Sequence, residues 1–474
     1  MNYVFTPTTQ ALLNTGNLVQ PATQKGKLLP AARDPVTGEF VEIAKIFYQS
    51  TSEIPETRGV LGLLAHLAGG SPLEPLVAPV HLTMAPLQIA QTHVGFQKIY
   101  RVLNSLKINL AVMQATTAVI GVGNVSPTIL SAVNLEQILQ LKEEAKQQRL
   151  KIKDGFIDLR HILKDKGVEV IQQIYKVAHD SKFEVHRQQL VNGYEVFSKG
   201  IKRCQSALTV GDVKLRNSEI NSGREELFEA LKIYENSCFL EGLCSAGQMR
   251  KIECVWAIEQ AIAVTFQLQR AYDMVSDRLQ ELQSKIRQHC LTVVKECQSE
   301  LELDFLFPEI IRILGHDLNA LEFWHLEVDW MQTLSPKDQH QLASLDQLTV
   351  DNLKSTIQTP FTIVAPEFSL YEDLKQKSHF LSLRDQLAIA LKPELRRGQE
   401  FYISQQAIAT GYPALAPSSW QEISDLTVAN LYYYFKFRED SMDIYPNHEE
   451  LEQLSVVNCG LNLKSKIENL PSQI

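Results

Sequence analysis

Leu268-Gln269-Arg270-Ala271-Tyr272-Asp273-Met274-Val275-Ser276-Asp277-Arg278-Leu279-Gln280-Glu281-Leu282-Gln283-Ser284-Lys285-Ile286 is the stretch on which the fold class turns. Its apolar residues Leu268, Tyr272, Val275, Leu279, Leu282 and Ile286 recur at steps of three and four, and Val293 extends them past a polar position at His289. That spacing lays them along one side of an α-helix as a heptad stripe, with charged residues filling the other side. A stripe of this kind needs a partner helix to cover it.

The stretch lies inside a tract that lacks proline. Ten prolines fall between Pro7 and Pro127 and nine between Pro308 and Pro471, with none in the 180 residues from Thr128 to Phe307. Proline inside a helix costs about 3 kcal/mol, so the tract reads as an extended helical array. One unbroken helix of that length would run about 270 Å, so the chain must fold back on itself. Breaks are expected at Asp165-Lys166-Gly167, Asn192-Gly193, Gly211-Asp212, Ser222-Gly223 and from Gly242 to Gly247. They leave helices at about 132 to 164, 168 to 209, 223 to 240 and 248 to 303, packed antiparallel. A second stripe, Ile138, Leu141, Ala145, Ile152, Phe156, Leu159 and Leu163, supports the first of them.

Charge divides the chain at similar places. Residues 1 to 131 hold 8 basic and 6 acidic side chains, residues 132 to 307 hold 25 and 26, and residues 308 to 474 hold 13 and 23. Four segments follow: an N-terminal extension over 1–56, a charge-poor apolar helical region over 57–131, a long-helix bundle over 132–307 and an acidic C-terminal domain over 308–474. In the first, Ala32-Arg33-Asp34-Pro35-Val36-Thr37-Gly38-Glu39-Phe40-Val41 carries a hairpin signal. The apolar segment Gly59 to Ala68 reads as a short helix stopped by Gly69-Gly70-Ser71-Pro72. In the last, Pro360 to Pro366 and Leu431-Tyr432-Tyr433-Tyr434-Phe435-Lys436-Phe437 read as strands, beside helices at about 309 to 332 and 371 to 391. The fold class is therefore mainly α: a long antiparallel helical bundle or coiled-coil array with a smaller α+β or irregular C-terminal region.

Several function classes drop out. With 46 Lys and Arg against 55 Asp and Glu, the net charge of −9 leaves no footprint for nucleic acid. The first 24 residues carry no charge and lack the basic start and apolar run of a signal peptide. Seven cysteines, an odd number without a Cys-x-x-Cys pair, fit a reducing cytoplasm. Cys290 and Cys297, seven apart, read as small apolar residues on one buried helix face.

Motifs for chemistry are lacking as well. No P-loop and no Gly-x-Ser-x-Gly elbow occurs, and Gly121-Val122-Gly123 has Ser126 where a dinucleotide fingerprint needs its third glycine. Glu322, His325 and Asp329 share a helix face, but no second Glu-x-x-His exists to build a di-metal bundle, so they read as a solvated polar face beside Trp324 and Trp330. His179 and His186, two turns apart, read as exposed. No cofactor or metal is expected.

The remaining feature is a run of 28 residues without charge, from Ile108 to Leu135. It is long enough to cross a bilayer, which takes about 20 apolar residues. Its candidate membrane or core positions are Ala111, Ala115, Ala118, Val119, Ile120 and Val122, the three alanines forming a small-residue face that permits close helix contact. A charge-poor segment ahead of long amphipathic helices resembles, over residues 75 to 303, the layout of cytolysin A-type helical pore-forming toxins. That resemblance implies a hidden apolar element and assigns no residue roles. The leading expectation is accordingly a non-enzymatic, membrane-associating helical protein, a pore-former or membrane-acting effector, whose partner is a lipid membrane and whose location is cytoplasmic or membrane-associated. The alternative is a soluble coiled-coil scaffold or homo-oligomer in which the segment is a buried core helix and the 268–286 stripe meets partner helices. An enzyme with its site in the C-terminal domain ranks third.

Overall fold

The computed structural model describes residues 2–22, 31–43, 45–47, 93–121, 126–147, 167–335 and 366–444, together with a few isolated positions. The chain divides into two compact units. The first takes its described residues from Met1–Gln49, Leu73–Ile286 and His316–Ile363, the second from Arg287–Gly315 and Val364–Ile474.

The first unit opens with two antiparallel strand pairs. β1 (Asn2–Val4) pairs with β4 (Lys45–Phe47), and β2 (Ala31–Arg33) pairs with β3 (Phe40–Ile43). The short helix α1 (Pro7–Asn14) follows β1. The hairpin expected around Gly38 is present, and its turn is built locally: the Asp34 carboxylate accepts from the amides of Val36 (2.7 Å) and Thr37 (3.1 Å). Gly38 closes it at φ +72°, a conformation that costs a residue with a Cβ. Ala31 and Phe40 pack on Trp330, whose ring meets Phe40 edge-on at 5.8 Å.

Among the described residues, the helical part of this unit includes α2 (His93–Ile120), α3 (Pro127–Ala132), α4 (Leu135–Gln147), α5 (Val168–Ala178), α6 (Ser181–Ala207), α7 (Val213–Glu235) and α8 (Ser245–Leu268). It adds most of α9 (Tyr272–Glu296) and also α11 (Leu318–Thr333). α6 and α7 form an antiparallel hairpin, since Gly193 lies against Tyr234, Gly200 against Gly223, and Arg203 pairs with Glu219 at 2.9 Å. α2 packs on α8 and α6, and α8 on α7. α8 is buried on all sides, as its near-absence of a polar face requires.

Several boundaries differ from the sequence reading. α6 runs straight through Gly193, because the chain breaks earlier, where Asp180 caps the helix by accepting from the Lys182 amide. α7 likewise passes through Gly223, having started at the Asp212 cap. Both glycines serve close helix packing rather than helix ends. The expected 248–303 helix is three helices: α8 ends at a turn where Arg270 takes φ +58°, and Ser299 caps the start of α10 (Glu300–Arg312). The heptad pattern thus straddles a turn between Leu268 and Tyr272, and a continuous coiled coil is not what forms. The segment Gly59 to Ala68 and, of the expected strand Pro360 to Pro366, all but Pro366 lie outside the described residues.

The second unit contains the end of α9, α10, α12 (Pro366–Lys375), α13 (Phe380–Leu391), α14 (Glu394–Ala409) and α15 (Asp425–Ile444). A π-turn at Ile313–Asp317 links α10 to α11. The Tyr371 hydroxyl of α12 donates to Asp304 of α10 (2.6 Å), and Lys375 donates to the same carboxylate (2.8 Å). Ile403 and Ala407 of α14 meet Val428, Leu431 and Phe435 of α15 in a common core. The aromatic run 431–437 is therefore helix, not strand. Its buried positions Leu431 and Phe435, with Val428 just before the run, follow a helical repeat that β-propensity alone overlooks. Among the described residues this unit has no strand, so the expected α+β character is not found there.

The membrane reading is also corrected. Among the described residues, no helix is long and apolar enough to cross a membrane. Asn109, Gln114, Thr116 and Thr117 interrupt the apolar run of α2, and all four are buried within the protein. The pore-forming and membrane-acting role, the lipid partner, the membrane-associated location and the likeness to cytolysin A-type toxins lose their basis together.

Candidate functional site

The charge-free segment is not one helix: its part up to Ile120 is the C-terminal half of α2, and Pro127–Ala132 forms α3. Ala111, Ala115, Ala118, Val119 and Ile120 are all buried, whereas Val122 lies outside the described residues. α8 packs against α2. Just past the end of α2, a Cβ on Gly121 would collide with the Leu243 side chain and stand 3.2 Å from Nδ1 of His186. The polar residues of the segment find partners inside the core: Thr117 donates to the Met113 carbonyl (2.7 Å), Thr116 to the same carbonyl (2.9 Å), and the Tyr234 hydroxyl donates to Gln114. Burial raises the Tyr234 phenol well above its ordinary value, which keeps it a donor. His186, expected at the surface, is buried on α6, and desolvation lowers its pKa, while His179 is exposed.

The stripe residues Leu268, Tyr272, Val275, Leu279, Leu282 and Ile286 are buried as well. Charged side chains of α9 flank them and tie α9 to α8, where Glu259 accepts from Arg278 (2.6 Å) and Lys285 (3.0 Å). The Arg278 guanidinium also lies over the Phe228 ring at 4.7 Å. Cys290 and Cys297 are both fully buried.

One constellation has the residue types of a catalytic triad. Ser276 of α9 meets α11, its Oγ 2.7 Å from Nε2 of His325 and 2.8 Å from Oδ1 of Asp329, to which it donates. The connectivity is wrong for nucleophilic catalysis. A triad needs its carboxylate on Nδ1 of the imidazole, so that Nε2 can take the serine proton. Here Asp329 takes that proton directly and lies 3.7 Å from the same Nε2. Nε2–H then donates to the serine, and the three groups close a ring that staples α9 to α11. Sequence reading had placed His325 and Asp329 on a solvated face and had no means of finding Ser276, some fifty positions away in the chain. Among the described residues no group of three or more His, Cys, Asp or Glu side chains is placed to hold a metal ion.

The surface of the second unit carries a different feature. α14 buries Ile403 and Ala407, while Phe401 and Ile408, two turns apart on the outward side, are 63% and 73% exposed. Gly398, one turn before Phe401, has open space where a Cβ would stand. No family model, no curated protein and no solved structure matches this chain.

Proposed function

We propose that this protein is a helical scaffold that acts by associating with a second copy of itself, its charge-free segment serving as a core helix. The observation that carries the reading is the outward face of α14, where Phe401 and Ile408 stand in solvent on the side opposite the buried Ile403 and Ala407. The apolar stripes that might have served the same purpose, at 111–120 and 275–286, are already used inside the chain. Closed homo-oligomers are the commonest assemblies, and a short apolar helix stripe suits a self-complementary contact. The Ser276 ring and the Asp304 cluster hold helices together and fit a structural part.

Light scattering over a concentration series tests this. The expected mass is a multiple of the 53.6 kDa chain, returning to 53.6 kDa in a Phe401→Glu/Ile408→Glu variant of unchanged melting temperature. A wild-type protein that stays monomeric at every concentration refutes it.

A further inference from the structure

Where α2 meets α6, basic side chains gather without acids to answer them. α2 carries Lys98, Arg101 and Lys107 and no Asp or Glu over its whole length, and α6 carries Lys199, Lys202 and Arg203 with no acid after Glu195. The two helices run antiparallel, since Gly121 just past the end of α2 lies against His186 near the start of α6, while Lys107 and Lys202 come close enough further along for their charges to repel. Lys199 and Arg203 are taken up by α7, pairing with Glu226 and Glu219, each at 2.9 Å. Among the described residues Arg101, Lys107 and Lys202 have no ion pair.

The same three cations stand on an open face. Tyr100, Asn104 and Lys107, at steps of four and three, share one side of α2 with Arg101 beside them. Tyr100 is 51% exposed, Arg101 and Asn104 are exposed, and Lys107 is half-buried. On α6, Lys202 and Ser206 are one turn apart and both exposed. Burial and the neighbouring Lys202 charge hold the Lys107 ammonium below its ordinary value, and a carboxylate set between the two lysines would offset both effects.

We infer that Tyr100, Arg101, Asn104 and Lys107 of α2, with Lys202 and Ser206 of α6, form a docking face for an acidic segment of a partner protein. Arg101 and Lys107 are six residues apart, about 9 Å along the helix. Alternate side chains of an extended peptide are about 7 Å apart, so carboxylates on one side of such a peptide reach both cations, and Lys202 widens the strip. Asn104 and Ser206 add hydrogen-bond donors, and the exposed Tyr100 ring supplies an apolar anchor of the kind that dominates interfaces. A short acidic segment needs only the few cations held here, whereas duplex nucleic acid, with a charge every ~1.7 Å, needs a longer basic tract. The inference is independent of self-association through α14.

The test is fluorescence anisotropy of a fluorescein-labelled deca-glutamate peptide titrated with the full-length chain at about 50 mM salt, and again at about 200 mM. The expected result is saturable binding that weakens with salt and is at least tenfold weaker in Arg101→Glu/Lys202→Glu. That variant should melt no lower than wild type, because Lys202→Glu turns the repulsion with Lys107 into attraction. Lys377→Glu/Lys392→Glu changes the net charge by the same amount in the second unit and should bind within twofold of wild type. Absence of peptide binding, undiminished binding by Arg101→Glu/Lys202→Glu, or an equal loss in the two variants overturns the docking face. So does a labelled thymidine decanucleotide that binds as tightly as the peptide.

Discussion

Gly200→Ala and Gly398→Ala make the same chemical change in two helices and should have opposite effects. A new Cβ at Gly200 would stand 2.8 Å from the Gly223 carbonyl oxygen and 3.1 Å from both Cγ and Cδ2 of Leu227. The first of these neighbours is backbone, so no rotamer change relieves it, and α6 and α7 must move apart along their whole contact. Overpacking of this kind costs about 1–3 kcal/mol, against which alanine's better helix propensity returns about 0.8–1 kcal/mol. The net expectation is a loss of up to about 2 kcal/mol, or a fall of up to a few degrees in melting temperature. At Gly398 nothing lies within 4 Å of the new atom, so only the propensity gain remains and the variant should melt higher. Thermal melts followed by far-UV circular dichroism, with both variants beside wild type, give the comparison. A Gly200→Ala protein that melts at or above the wild-type temperature refutes the reasoning, for it would mean that α6 and α7 are not in backbone contact there.

Two further outcomes follow from buried charge. The folded protein holds the Asp385 proton more tightly than an unfolded chain, at about 6 against the ordinary 3.8. The group therefore costs nothing below about pH 4, costs progressively more between 4 and 6, and above 6 destabilises the fold by about 3 kcal/mol. Asp385→Asn should raise the melting temperature at pH 7.5 and leave it unchanged near pH 4; an equal gain at both values would point to packing instead. Ala118→Asp places an unpaired carboxylate where the side chain has no exposure, and should lower stability by about 3 kcal/mol or more, visible as a lost or sharply lowered transition. An unchanged melting curve would place residue 118 outside the core.

Much of the helical content was legible because it rests on local rules. The absence of proline from Thr128 to Phe307, the three-and-four spacing of Leu279, Leu282 and Ile286, and the break at Gly211-Asp212 act within a few residues of themselves, whereas the cap at Asp180 was passed over. The same rules misread Gly193 and Gly223, since a glycine that ends a helix and one that lets two helices touch look alike in a sequence. They also misread the aromatic run at 431–437, whose β-prone residues become helical when Leu431 and Phe435 are buried one turn apart against α14.

The sequence by itself determined that the chain is mainly helical, that a hairpin turns at Gly38, and that the Ile108–Leu135 run must be hidden from water, because each follows from hydration and backbone sterics acting locally. Only the tertiary structure decided where that run is hidden. Gln114 meets Tyr234 and Ser276 meets His325 and Asp329 across long stretches of chain, and Asp385, Gln399 and Tyr432 come together from three helices. Such meetings depend on how helices pack, and packing is settled by the shape of whole faces rather than by any residue's neighbours in the chain.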